Sequence, residues 1–205
     1  MKKTIICNIP MREDIAKIAY TSDDLSLPVS KEAFRYPILS LLSQTASAED
    51  EFKVILLVKK DDNDFYKRNV EDFKNELDES LKNSGAKANC VIIDTEFAEE
   101  KAVHEELMLR IIDKIDEGSH IMADITYGPK DLPIVLFAAL SFVDHHLGCE
   151  VDHIVYSQGK FKNDKVVSAK ICDMSPLYYL SYVSNTIKCD DPKRSKQMLK
   201  SLLSL

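Results

Sequence analysis

The stretch HIMADITYGPKDLPIVLFAAL, residues His120 to Leu140, reads as a strand, a tight polar loop and a buried helix. The apolar run His120 to Ile125 lacks clean alternation, as expected for a strand covered on both faces. Asp124 to Asp131 holds the turn formers, and Leu132 to Leu147 is apolar enough for a core helix, ended by Gly148. The same unit repeats upstream. Thr4 to Cys7, Val54 to Val58 and Cys90 to Ile93 are short apolar runs of the same buried kind. Phe65, Val70, Phe73, Leu77 and Leu81 recur at helical spacing before Gly85. Val103, Leu107, Ile111, Ile112 and Ile115 do so before Gly118. A further helix is expected over Ser30 to Gln44, with Ser30 as N-cap and Pro37 as a kink.

Downstream, His153 to Ser157 reads as a fifth strand, Lys160 to Asp164 as a polar turn, and Val166 to Ile171 as a returning sixth. Alternation of this kind predicts an α/β fold: a Rossmann-like, doubly wound, mostly parallel sheet. The last two strands form an antiparallel hairpin at its carboxy-terminal edge. Residues 1–173 form the expected ligand-binding domain and 174–205 a short helical tail, a cap or dimerisation arm.

Composition narrows the function. The chain has 205 residues, of which 45% are hydrophobic and 30% charged, with a net charge of −7. A domain of this size buries about 70% of its unfolded surface and needs no staple. An acidic balance argues against long nucleic acid as partner, because counterion release needs a broad basic face. Five cysteines without a C-x-x-C pair fit neither a zinc site nor a disulfide framework, so no metal is expected and a cytoplasmic setting fits. The longest apolar stretch, Leu132 to Val143, contains Pro133 and Ser141 and is too short for a membrane span. The opening MKKTIICNIP has too short an apolar run for a signal peptide.

Ligands of open parallel sheets bind at the carboxyl ends of the strands. Two loops lie there: Asn8-Ile9-Pro10-Met11 after the first strand, and Asp124 to Asp131 after the fourth. Gly128 admits a ligand close to the backbone, Thr126 offers a hydroxyl, Tyr127 a ring with a polar tip, and Lys130 a cation. The following helix offers its amino-terminal amides and dipole, so the loop describes a phosphate-binding corner. Neither G-x-x-x-x-G-K-[ST] nor G-x-G-x-x-G is present, so no triphosphate or dinucleotide cofactor is expected. The plainer alternatives are that Thr126 caps the helix, Gly128 makes an ordinary turn and Lys130 is solvated. Asp124 is either an acceptor that orients the loop or an exposed turn residue.

The segment Asp124 to Leu140 resembles the D-[IV]-T-H-G-x-R-x-x-P motif of CARF domains, the sensors of type III CRISPR accessory proteins. Cys149 to Gly159 is similar to the next strand of that family, including Tyr156 and the small Ser157. The resemblance spans roughly residues 1 to 172. Tyr127 stands where the family commonly has His, and Lys130 where it has Arg, which keeps charge but loses the bidentate fork. The resemblance implies a homodimer binding a cyclic oligoadenylate across its two-fold axis. Asn8, Ile9, Pro10, Met11, Asp124, Thr126, Tyr127, Gly128, Lys130 and Ser157 are the ligand-binding candidates, and Arg12 either adds a cation or pairs with Glu13 or Asp14.

Three readings stay open: a sensor acting through its tail or an effector protein, a metal-independent ring nuclease, or an unrelated anion-binding regulator. In the nuclease, the ribose 2′-hydroxyl attacks and Lys130 with Thr126 are the catalytic residues. No Arg is followed by a His after four to six intervening residues, as a HEPN ribonuclease needs. Glu51-Phe52-Lys53 lacks the preceding acid of a restriction-type site. His145 and His146 are expected as a helix carboxy-terminal cap.

Overall fold

The computed structural model describes residues 1–59, 64–96, 98–162, 165–187 and 189–203. Strand β1 (Lys2–Asn8) is central, paired in parallel with β4 (Glu51–Val58) on one side and β6 (His120–Asp124) on the other. Strand β5 (Lys87–Asp94) lies parallel beyond β4, and β7 (Glu150–Lys162) parallel beyond β6. Antiparallel to β7 runs β8 (Lys165–Asp173), followed outward by β2 (Ile18–Thr21) and β3 (Ala33–Phe34). The sheet thus has eight strands in the order β3-β2-β8-β7-β6-β1-β4-β5.

Each face of the sheet carries its own core, which is why the central strands show no alternation. Ile5, Cys7, Leu56 and Met122 point to one core with α1 (Pro37–Thr45) and α2 (Phe65–Leu81). Ile6, Ile55, Leu57 and Ala123 point to the other, with α3 (Lys101–Ile112) and α4 (Leu132–His146). Adjacent residues Ile5 and Ile6 are both fully buried. Gly148 has positive φ just past the C-cap of α4, as the sequence suggests, whereas Gly85 and Gly118, also at positive φ, lie in turns beyond the ends of α2 at Leu81 and α3 at Ile112.

Three expectations are corrected. The first helix begins at Pro37, not Ser30, and Pro37 sits in its first turn instead of kinking it. A residue before proline is pushed to extended backbone, and Tyr36 (φ −112°, ψ 121°) obeys. Ser30 instead accepts from Glu32 N–H at 3.0 Å, and its own N–H reaches the Ser40 hydroxyl at 3.1 Å. The β7–β8 hairpin is not the sheet edge, because β2 and β3 extend the sheet past it. Finally, β7 runs through Lys160 to Lys162, while Asn163 and Asp164 of the expected turn lie outside the described residues.

Beyond Asp173, α5 (Ser175–Thr186) packs on the second core through buried Tyr178, whose ring meets Phe137 edge-on at 5.8 Å. Helix α6 (Pro192–Leu203) buries no residue. Among the described residues no helix is long and apolar enough to cross a membrane.

Candidate functional site

Strand order reverses at β1, whose neighbours β4 and β6 are reached by crossovers to opposite sides. A crevice is therefore forced open above the carboxyl ends of β1 and β6. A cleft of about 410 Å³ occupies it, lined by the Asn8–Arg12 segment, Lys59 and the Thr126–Pro129 segment. The two loops singled out from the sequence meet there.

Their approach is fixed by side chains. Asn8 is 3% exposed, and its amide bridges the loops: the NH₂ donates to Leu57 O and the carbonyl accepts from Gly128 N–H, each at 3.2 Å. Gly128 has φ +114°, and a Cβ there would stand 2.7 Å from Leu132 Cδ2 and 3.1 Å from the tip of the Asn8 amide. Both the backbone conformation and the space require glycine.

Asp124 is 1% exposed and holds structure instead of facing the cleft. Its carboxylate accepts from Thr126 N–H at 2.9 Å and from Ile38 N–H at 3.3 Å, joining the loop to the start of α1. Burial raises its pKa, and hydrogen bonds from the Thr126 side chain and from the Thr126 and Ile38 backbone only partly offset the rise. Of the two readings of Asp124, the loop-orienting acceptor is the one observed. Thr126 does not cap α4: its hydroxyl accepts from Ser157 N–H at 3.0 Å, tying the loop to β7. Ser157 thus contributes its backbone and is not among the cleft-lining residues.

Tyr127 lines the cleft with its ring, but its hydroxyl is already used. It donates to Arg35 O at 3.0 Å, as does Tyr20 at the same distance, while Tyr36 packs edge-on against the ring at 6.0 Å. Burial, with Asp124 and Cys7 nearby, pushes the phenol well above its ordinary value.

The expected helix corner differs from the reading above. At the start of α4, Leu132 N–H is taken by Pro129 O at 3.2 Å, Pro133 has no N–H, and Ile134 N–H bonds Asp131 O at 2.9 Å. The Asp131 carboxylate, 2.6 Å from His104 Nε2, adds an acid at the same end. The first turn of α4 therefore offers an anion little. Lys130 is exposed and lies just outside the lining residues.

Cations come from elsewhere. Arg12 and Lys59 line the cleft, and neither forms an ion pair among the described residues. Asp14 pairs with Arg68 at 2.7 Å, so it is not the partner of Arg12. Lys59 escaped the sequence reading, since a lysine after an apolar strand looks like any solvated turn residue. Asn69 escaped it too. From α2, its fully buried amide donates to Pro10 O at 2.7 Å and Arg12 O at 2.8 Å, fixing the loop that walls the cleft.

The other motifs stay apart from this cleft. Lys53 pairs with Asp116. The His145 ring bonds Ser141 O, one turn back along α4, at 2.6 Å and so does not cap the terminal carbonyls of the helix. All five cysteines are free.

The fold and cleft define a Rossmann-like α/β protein with a crevice at its switch point. No known family model matches the chain, and no curated protein matches its sequence.

Proposed function

We propose that the protein is a homodimeric sensor that binds a cyclic oligoadenylate at the switch-point cleft. One observation carries the reading: the two strand-end loops converge on a single cleft with an apolar wall and two cations, Arg12 and Lys59, that form no ion pair among the described residues. Ile9, Pro10 and Met11 offer the surface for adenine, Arg12 and Lys59 the charge for phosphate, and Asn8 is already committed to shaping the backbone. Lys130, next in chain after Pro129 and exposed, is a further cation that a ring overhanging one protomer would meet. Pairing is supported by α4, which rises from the cleft and exposes Ile134 at 73% and Phe142 at 41%. These two residues are eight apart and share one helix face.

Among the described residues the cleft lining includes no carboxylate and no imidazole. A nuclease reading would rest wholly on substrate alignment.

The test is calorimetric titration with rings of three to six adenylates, followed by incubation with labelled ring. Binding of one ring size, weakened at least ~10-fold in Arg12→Ala/Lys59→Ala, is expected, since each charge-assisted contact is worth about 1.5–3 kcal/mol. Failure of every ring to bind would overturn the reading. Linear products with 2′,3′-cyclic phosphate ends would replace the sensor with the ring nuclease.

A further inference from the structure

We propose that His120, Glu150 and Asp152 bind one divalent first-row cation, for which zinc ion is the probe. Backbone geometry assembles the three. His120 opens β6 and is the ladder partner of Glu150 at the start of β7. The register then shifts, with Val151 opposite Ile121 and His153 opposite Met122, so Asp152 is an extra residue in the ladder. Such a bulge re-aims a side chain. Here it brings Asp152 Oδ1 to 3.0 Å from His120 Nδ1, with Glu150 Oε2 at 3.8 Å from the same nitrogen.

The spacing fits ligation. One donor atom from each residue lies within 4.8 Å of the other two. Donors bound at about 2.1 Å stand about 3.0 Å apart at octahedral angles and about 3.4 Å apart at tetrahedral ones. A small inward movement of Glu150, whose side chain is 71% exposed, closes the set and leaves open positions for water.

Charge points the same way. Among the described residues no Lys or Arg forms an ion pair with Glu150 or Asp152, and the basic group paired with both is His120. With a neutral imidazole the group carries two uncompensated negative charges, and a dication supplies what is missing. Imidazole with carboxylates suits zinc or manganese better than calcium. The site is at the amino-terminal end of β6, about 13 Å from its carboxyl end at ~3.3 Å per residue, so it is separate from the cleft. A cation there would clamp β6 to β7 across the bulge.

Equilibrium dialysis and thermal melts with zinc chloride, without nucleotide, test this on the full chain. The background carries His145→Ala, His146→Ala and Cys189→Ser to remove other accessible donors. One equivalent should bind and raise Tm, EDTA should reverse both effects, and H120A and D152N should each weaken uptake at least ~10-fold. The metal-free melt of D152N, close to that of its parent, shows that the variant is folded. Zinc uptake unchanged in both variants, or none at millimolar zinc, would leave an ordinary His–Asp hydrogen bond and overturn the proposal. Ring binding is not read in either arm, so the two proposals fail separately.

Discussion

At the scale of single residues, the cleft is held by amides and a carboxylate whose work is internal. Asn69 is the sharpest case, since one buried side chain satisfies two carbonyls of the Pro10–Arg12 loop. Asn69→Ala leaves both acceptors without that partner and should cost about 1–3 kcal/mol in urea denaturation. Amide exchange in the Met11–Arg12 segment should quicken more than exchange in β1. Gly128 was legible in the sequence because a glycine between a strand and a helix has few other uses. Asn69 was not: between Arg68 and Val70 on an amphipathic helix, it reads as a surface residue. Its partners lie 57 and 59 positions away, and no local pattern encodes that reach.

Secondary elements are joined by polar clasps at their ends. Asp173, closing β8, accepts from His153 Nδ1 of β7 at 3.2 Å and from Ser175 N–H at 2.8 Å as α5 begins. Burial pushes the Asp173 carboxyl upward, but hydrogen bonds from His153 and Ser175 outweigh it and hold the carboxyl below its ordinary range. The same bond to Asp173 raises the His153 pKa against its desolvation. The stabilisation from His153 is full below its unfolded pKa of about 6.5 and is lost as pH rises through the higher folded value. That from Asp173 is present above about pH 3.9 and is lost as pH falls through the lower folded value. The clasp therefore contributes most between these limits. Unfolding free energies from urea titrations at pH 5.5 and 8.5 should differ by about 1 kcal/mol or less in the parent, the higher at pH 5.5, and His153→Gln should shrink that difference. The elements themselves were readable from periodicity wherever they were long. Strands β2 and β3, of four and two residues, are too short to show a period.

For the whole molecule, strand order decides where chemistry can happen. Only the reversal at β1 places the Asn8 loop beside the Thr126 loop, although more than a hundred residues separate them. Pairing through α4 belongs to this scale as well. Light scattering at micromolar concentration should give the mass of a dimer, and Ile134→Glu/Phe142→Glu should give a monomer with an unchanged melt. A monomeric parent would remove the homodimer from the proposed function.

The sequence by itself determined the buried central strands β1, β4 and β6, the stop of α4 and the two candidate loops. These follow from side-chain periodicity and backbone freedom, which are local properties. Strand β5, expected to be buried on both faces, is instead the partly exposed sheet edge. Tertiary structure alone decided which groups are available to a ligand. It turned Asp124 and the Tyr127 hydroxyl inward, used up the first amides of α4, and brought Arg12 and Lys59 to the cleft. Whether a polar group is spent or available depends on its neighbours in space, and those neighbours come from distant parts of the chain.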